Sequence, residues 1–246
     1  EYNKMVGKLD ESAIALAKSE REGAWREMAR QVAHEIKNPL TPMKLSLQYL
    51  QKSIANKSDN VEELTANVAK TLVEQIEHLN HIAGEFSQFA NIGNSKAEVF
   101  DLNEVIRQVT QLHAIDDRIN INWNPVNQKV MVDADRTHIN RLFTNLILNA
   151  MQAIPADRNV NIDVAEEIAN NKILIKVKDN GIGIEEELQS KIFTPNFTTK
   201  TSGTGLGLAM SKSIVEQARG RIWFETKAGL GTIFFVELPL HHNGTV

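Results

Sequence analysis

The chain has 246 residues, 42% of them hydrophobic, and a net charge of −4, which is the composition of a globular protein of one or two domains. It has no cysteine, which excludes disulfides and thiolate metal sites, and it has no basic run, so we expect no nucleic-acid partner. No stretch approaches the ~18 apolar residues that span a bilayer, and because the chain starts at Glu1 we expect a fragment whose sensor or membrane segment lies upstream.

The first half of the chain has the periodicity of two long helices. Residues 1–22 keep a heptad-like apolar seam, which predicts the end of a signalling coiled coil, although a frayed, exposed helix fits it equally well. Apolar residues recur every three or four positions over residues 25–54 and 61–89, on either side of a polar turn at 56–60. This pattern predicts an antiparallel helical hairpin over residues 23–94, which a second copy would complete into a four-helix bundle.

A histidine and an acid stand together in the first of these helices. His34 and Glu35 lie off the apolar stripe, so we expect the imidazole to reach solvent. Histidine is partly neutral and nucleophilic near pH 7, and Glu35 is placed to accept the proton that a modified ring sheds. Asn38, one turn further on, is placed to orient a water, and Pro39 is expected to disturb α geometry at Asn38 and bend the helix. A solvated surface pair without chemistry is the competing interpretation.

The second half, residues 95–246, combines helices with paired strands. Asp101 with Glu104 resembles a capping box, and Asp135 is a second candidate cap before an amphipathic segment. Alternating apolar residues predict strands near residues 119–123, 130–132, 160–164, 173–177, 221–225 and 232–238. Because strands come in pairs rather than singly between helices, we predict a mixed α+β sandwich and not a doubly wound sheet.

Two asparagines share one face of the helix that Asp135 opens. Asn145 and Asn149 are four residues apart among apolar neighbours, where a polar amide needs a partner. Amide oxygens are suitable ligands for Mg²⁺, which usually shares its protein ligands with substrate phosphates. The alternative is that both amides only bridge neighbouring backbone groups.

Glycine-rich segments follow at two places. Residues 178–184 come directly after a predicted strand, where Asp179 can accept a hydrogen bond from an exocyclic amine, although Asp-Asn-Gly is also an ordinary turn. Residues 202–208 precede a helix whose N-terminal N–H groups can meet phosphates. Their spacing is neither that of a Gly-x-Gly-x-x-Gly fingerprint nor that of a Walker loop.

Taken in order, these segments resemble the motifs of bacterial sensor histidine kinases. Residues 33–40 are similar to the phosphoacceptor box, and residues 41–45 resemble the nitrogen-regulation branch of that family. The other segments resemble the N box, the first glycine box, the phenylalanine box with the start of the lid, and the second glycine box, at residues 145–150, 178–184, 193–200 and 202–208. The resemblance covers residues 23–240.

The resemblance implies the cytoplasmic core of an inner-membrane sensor protein, with a signalling helix (1–22), a dimerisation and phosphotransfer domain (23–94) and a catalytic domain (95–246). The implied fold is a dimeric antiparallel helical hairpin (four-helix bundle) followed by a Bergerat-type α/β sandwich that binds ATP and Mg²⁺. His34 would be phosphorylated with the help of Glu35, and the phosphoryl group would pass to an aspartate of a response-regulator receiver domain. Asn38 would support phosphatase activity on that regulator.

The same resemblance assigns the nucleotide site residue by residue. Asn149 would ligate the metal, Asn145 would support the phosphate side, and Asp179 would read the adenine amino group. The remaining residues implied to bind the nucleotide are Gly181, Gly183, Lys200, Gly203, Thr204, Gly205, Leu206 and Gly207.

Three positions depart from the family pattern. Gln152 stands near a usual lysine, Asn196 stands where an aromatic residue is commoner, and Ser202 replaces a usual glycine. Two rivals stay open, and these departures favour the second of them. One is a different Bergerat ATPase of the chaperone, topoisomerase or mismatch-repair kind, in which His34 has no role. The other is a non-enzymatic dimerisation module with a vestigial nucleotide site.

Overall fold

The structure is a computed structural model that describes residues 29–30, 32–57, 60–91, 95–114, 118–195, 197–200 and 205–241. Clustering of contacts divides the chain into two compact units, Glu1–Gln88 and Phe89–Val246. The coiled coil predicted over residues 1–22 lies outside the described residues, as do residues 92–94 at the predicted boundary between the two domains. None of the described helices combines the length and apolarity needed to cross a membrane.

The first unit consists of the two predicted helices. Helix α1 covers residues 32–55 and helix α2 covers Val61–Asn91, and the described residues between them form a turn, as the sequence predicts. Pro39 is buried and Asn38 is helical, so the expected loss of α geometry at Asn38 is wrong. A proline removes only one backbone donor, and the helical turns on both sides keep it in place. The bend itself stays a prediction.

A row of apolar side chains on the first unit faces solvent. Ile54 is 54% exposed, although it continues the stripe of apolar residues that α1 repeats every three or four positions. Other large apolar residues of α1 and α2 that are also exposed are Ile36, Leu40, Leu45, Leu47, Tyr49, Val73 and Ile76. In contrast, Val68 and Ile82 of α2 are buried within the single chain. The single chain therefore buries some of its large apolar side chains and leaves others uncovered.

The second unit is a mixed α/β domain. Its elements in chain order are β1 (Glu98–Asp101), α3 (Leu102–His113), β2 (Ile119–Asn124), β3 (Met131–Ala134), α4 (Arg136–Gln152), β4 (Val160–Ala169), β5 (Lys172–Asp179), α5 (Glu186–Gln189), α6 (Gly207–Gln217), β6 (Arg221–Lys227) and β7 (Gly231–Pro239). The sequence predicts most of these elements. It does not predict the strand β1 or the four-residue helix α5.

A five-stranded sheet with the order β2-β4-β5-β7-β6 forms one layer of this domain. The β4–β5 and β6–β7 pairs are antiparallel as predicted, whereas β2 pairs with β4 in parallel. Helix α4 packs on β4 and β5, and α6 packs on β6 and β7. Alternate residues of the central strands, such as Ile173, Ile175 and Val177, are buried in the core, as a period of two requires. The mixed α+β sandwich is confirmed.

Two of the helices of this domain, α3 and α4, begin at an aspartate. Asp101 Oδ1 accepts from the Asn103 N–H at 3.1 Å, but Glu104 pairs with Arg136 at 3.0 Å, so the predicted capping box is only half formed. Asp135 begins α4, the helix that carries the two asparagines, and its Oδ1 accepts from the backbone N–H of His138 at 3.0 Å.

Asp135 also binds the segment that leads into the domain. Its Oδ2 accepts from the Lys96 N–H at 2.8 Å. Burial by itself would raise the pKa of Asp135, but these backbone hydrogen bonds outweigh it and lower the pKa. The carboxylate therefore stays charged and links the start of the domain to the start of α4.

Candidate functional site

A chain of hydrogen bonds connects α6, α4 and the segment after the phenylalanine box. The Ser211 hydroxyl donates to the Gly207 carbonyl at 2.9 Å, and Asn145 Nδ2 donates to Ser211 Oγ at 2.8 Å. Asn149 Nδ2 donates to Asn145 Oδ1 at 3.4 Å. Lys200 Nζ then donates to Asn149 Oδ1 at 2.8 Å. The two asparagines thus contact each other and residues distant in sequence, rather than neighbouring backbone groups.

Lys200 and Gln152 are joined at the end of this chain. Lys200 Nζ makes a second, very short hydrogen bond to Gln152 Oε1. Burial lowers the pKa of Lys200 because the ammonium is partly removed from water. Gln152, one of the three departures from the family pattern, is therefore a direct contact of the lysine that the sequence assigns to the phosphates.

Asp179 lies at the end of β5 and is 3% exposed. Its Oδ1 accepts from the backbone N–H groups of Gly181 at 2.8 Å and Thr232 at 3.1 Å. Burial raises the pKa of Asp179, and the two hydrogen bonds reduce that effect without cancelling it. Among the described residues both of these donors bind Oδ1, which leaves Oδ2 as the acceptor for a ligand.

Two of the predicted glycines are required by the local geometry. Gly183 has a φ of +73°, and a Cβ there would collide with the Lys227 carbonyl. Gly207 begins α6, and a Cβ there would collide with the side-chain amide of Asn145. The second glycine box and the N box are therefore in direct contact.

The start of α6 presents backbone donors. Leu206 is buried, and because it is apolar its side chain cannot cap the helix that follows. Gly205 just before it has a φ of +67°. Unpaired N–H groups and the positive end of the helix dipole suit a phosphate. Gly203 and Thr204, which belong to the same predicted box, lie outside the described residues, as do Ser202 and Asn196.

The first unit holds the predicted phosphoacceptor. His34 and Asn38 are exposed on α1, one helical turn apart and hence on the same side, and Glu35 is half-buried. The solvent-reachable imidazole predicted from the periodicity is confirmed. The roles of His34, Glu35 and Asn38 stay predictions.

Sequence reasoning missed three polar residues that complete the site. Ser211 supports Asn145, Thr232 donates to Asp179, and the Thr226 hydroxyl accepts from the Ile184 N–H at 2.9 Å. Thr232 follows Gly229 and Gly231 and begins the strand predicted near residues 232–238, so a polar residue at the start of a buried strand was the available signal. Ser211 gave no such signal, since a lone serine in a helix is commonplace.

Comparison with known proteins gives the same two parts. The family model described as "His Kinase A (phospho-acceptor) domain" matches residues 24–95, and the model described as "Histidine kinase-, DNA gyrase B-, and HSP90-like ATPase" matches residues 134–242. Together with a helical hairpin and a Bergerat-type α/β domain, these matches define the catalytic core of a histidine kinase. The chain belongs to the sensor histidine kinase family.

Individual relatives agree with this assignment. The chain is 30% identical to the signal transduction histidine-protein kinase AtoS of Escherichia coli (strain K12) over 95% of the chain and 38% of AtoS. It is similar to the catalytic domain of the histidine kinase ThkA, at 38% identity and a TM-score of 0.53 over 59% of this chain and 96% of that one. It is also similar to ThkA in complex with the response regulator TrrA, at 31% identity and a TM-score of 0.63 over 91% of this chain and 64% of that one. The chain spans between about a quarter and a half of the length of the curated relatives that it matches.

Proposed function

We propose that this chain transfers the γ-phosphoryl group of ATP to an imidazole nitrogen of His34 and then passes it to an aspartate of a response-regulator receiver domain. One observation carries the proposal. The side-chain oxygen of Asn149 accepts a hydrogen bond from the ammonium group of Lys200, next to the start of α6, which offers donors to phosphates. The same chain also has an exposed histidine box.

The residues at Asn149 fit a divalent cation. Lys200 Nζ lies 2.8 Å from Asn149 Oδ1, so this oxygen already serves as the acceptor for a positive charge. Mg²⁺ uses hard oxygen ligands and takes most of them from water and substrate phosphates, so a single amide oxygen is a sufficient protein contribution. When bound, Mg²⁺ would supply charge neutralisation on the phosphates. Asn149 would hold it, and Lys200 would contact the terminal phosphate.

The transfer step needs little from the protein beyond position and charge. A nitrogen of His34 attacks the γ-phosphorus, an N–P bond forms, and the bond between that phosphorus and the bridging oxygen breaks to release ADP. Glu35 takes the proton that the imidazole loses. For this step the bound nucleotide must meet His34, which is exposed on α1.

Asp179 would select adenine. Its free Oδ2 at the end of β5 is an acceptor for the exocyclic amine, while the Gly181 and Thr232 N–H groups hold Oδ1. A hydrogen bond to a charged acceptor contributes about 1.5–3 kcal/mol, enough to favour adenine over a base with a carbonyl at that position.

The chain would work as a homodimer. Ile36, Leu47, Ile54 and Ile76 are exposed in the single chain although they continue apolar stripes of α1 and α2. A second copy would cover them and form a four-helix bundle. The rim of this interface would leave His34 accessible, because His34 lies off the stripe.

The partner would be a receiver domain, as the ThkA–TrrA complex suggests. Asn38, on the same side of α1 as His34, is placed to orient the water that hydrolyses a phosphoaspartate, which would give phosphatase activity on the same partner. A membrane link through an upstream segment, and with it an inner-membrane location, is part of the same proposal.

Incubation with γ-labelled ATP and magnesium tests the proposal directly. We expect acid-labile, base-stable label on the wild type and none on His34→Gln or Asn149→Ala. His78→Gln, a change of the same kind on α2, and Asn140→Ala, a change of the same kind on α4, are matched controls that should keep the label.

Each alternative outcome has a definite meaning. Binding of ATP without label on the wild type favours the rival ATPase. Absence of ATP binding favours the dimerisation module. Label that persists in His34→Gln assigns the phosphoacceptor to another residue and contradicts the proposal.

A further inference from the structure

We infer that Ser211 is a positioning residue that determines which atom of the Asn149 amide faces the metal and the phosphates. The inference rests on the proposed function, and it concerns a buried serine on α6 that is 1% exposed. Ser211 acts through Asn145, so it touches neither the nucleotide nor the cation.

The inner end of the hydrogen-bond chain has a defined polarity. The Gly207 carbonyl can accept but cannot donate, and the Ser211 hydroxyl donates to it at 2.9 Å. The serine oxygen is then left to accept, and the group that faces it at 2.8 Å must be the donor Nδ2 of Asn145. The orientation of the Asn145 amide is set by that contact.

The polarity then passes from one amide to the next. With Nδ2 of Asn145 on Ser211, its Oδ1 is left to accept from Nδ2 of Asn149 at 3.4 Å. That leaves Oδ1 of Asn149 facing outward. The outer end agrees, because the Lys200 ammonium can only donate and lies 2.8 Å from this oxygen. Two groups of fixed polarity thus stand at opposite ends of one consistent chain.

The orientation matters because the two ends of an amide have nearly the same shape. Without the serine hydroxyl, Asn145 can turn over at little steric cost, and its Nδ2 would then face Nδ2 of Asn149. Asn149 would turn in response and present an amino group, a donor, where a cation needs an oxygen. The contact between Gly207 and Asn145, which only glycine permits, brings Ser211 close enough to prevent this.

Ser211→Ala tests the inference by separating metal-dependent from metal-independent binding. ADP affinity is measured by calorimetry on the whole chain, with excess magnesium and with EDTA. We expect the gain in affinity that magnesium provides to fall about tenfold in Ser211→Ala, the lower end of the effect known for residues that orient metal ligands. Affinity in EDTA should stay at the wild-type value.

Thr110→Val is the matched control. Thr110 is also a buried hydroxyl that donates to its own helix, at 2.9 Å from the Ile106 carbonyl, but it lies on α3, which does not contribute to this chain. It should leave the magnesium-dependent gain unchanged. An equal loss in both variants, or a Ser211→Ala loss that is the same with EDTA, means a general packing effect and overturns the inference.

A second measurement does not need a nucleotide. In the ligand-free chain, the side-chain amide NMR signals of Asn145 and Asn149 should both shift in Ser211→Ala. Neither signal should shift in Thr110→Val. Unchanged signals overturn the inference even if ADP binds normally. A wild type that shows these amide signals but binds no ADP overturns the proposed function, and the role of Ser211 towards a metal falls with it.

Discussion

The two units of this chain present their proposed functional groups in opposite ways. In the hairpin, His34 and Asn38 lie exposed on the surface of a continuous helix. In the α/β domain, Asp179 and Ser211 are buried, and hydrogen bonds between residues distant in sequence set the orientation of each acceptor. One unit offers an accessible nucleophile, and the other offers a prearranged binding site.

This difference matches what each group must do. A phosphoacceptor has to meet an ATP-binding domain and then a separate partner, so a fixed, enclosed environment would prevent one of the two encounters. A nucleotide site gains affinity when its donors and acceptors are held in place before the ligand arrives. We therefore expect changes in the hairpin to act on encounters and assembly, and changes in the α/β domain to act on nucleotide affinity.

The largest effect is expected from a charge in the exposed apolar stripe. Leu47→Glu should convert the proposed dimer into a monomer, because burying an unpaired carboxylate costs about 3 kcal/mol or more per copy, and the two copies together weaken association by about 10⁴-fold or more. Leu45→Glu is the control, since Leu45 is 59% exposed but lies about 180° around the helix from Ile36. Analytical ultracentrifugation distinguishes the two, and a Leu45→Glu monomer would contradict this assignment of the interface.

Asp179→Asn should weaken ATP binding by about 10–100-fold, the range for loss of a charged hydrogen bond. It should also leave stability unchanged or increase it, because the buried charge is removed while an amide oxygen still accepts from Gly181 and Thr232. Asp163→Asn, an exposed aspartate on β4, is the control. Calorimetry and thermal unfolding on the same samples check both halves, and a large loss of stability in Asp179→Asn would show that the charge itself holds the fold.

The pH dependence follows from the same residue. Since the folded-state pKa of Asp179 is raised, the folded state binds a proton more tightly than the unfolded state, and the stability contributed by protonated Asp179 is lost as pH rises through that pKa. ATP affinity should change in the opposite sense and fall on acidification, since a protonated carboxyl is a poorer acceptor. The fall should begin at a higher pH than an ordinary aspartate would give, and Asp179→Asn should abolish it. A profile unchanged in that variant would assign the pH effect elsewhere.

A smaller effect is expected at Lys200, whose ammonium group faces Asn149. Lys200→Met should lower the rate of His34 labelling about tenfold while ADP affinity changes little, because the ammonium is proposed to contact the terminal phosphate, which ADP lacks. Gln152→Ala should have a weaker effect in the same direction, since it only removes a hydrogen-bond partner of Lys200. Lys191→Met, at an exposed lysine, is the control. An equal loss of ADP and ATP affinity in Lys200→Met would place the lysine away from the terminal phosphate.

The smallest effect is expected on the outer face of the sheet. Lys172 and Glu237 form an ion pair of 2.7 Å between β5 and β7, but both side chains remain accessible to solvent. Lys172→Met should therefore change the free energy of unfolding in urea by less than about 1 kcal/mol. ADP affinity should stay at the wild-type value. A lower ADP affinity in this variant would show that this face of the sheet is coupled to the nucleotide site.

The sequence by itself determined most elements of this protein and the places where its chemistry is expected. Helical and strand periodicity are local properties, so α1, α2, α4 and the two antiparallel hairpins could be predicted from residues within a few positions of each other. The aspartate caps at Asp101 and Asp135 are equally local. The histidine box and the glycine boxes were found because each is a short continuous motif.

Only the tertiary structure decided how the polar side chains of the α/β domain pair. Ser211 and Asn145 are 66 positions apart, and Asp179 and Thr232 are 53 apart, so no local pattern connects them. The parallel pairing of β2 with β4 and the contact of Lys200 with Gln152 likewise join distant segments. A buried donor or acceptor must find a partner somewhere, and which partner it finds depends on how the helices pack on the sheet.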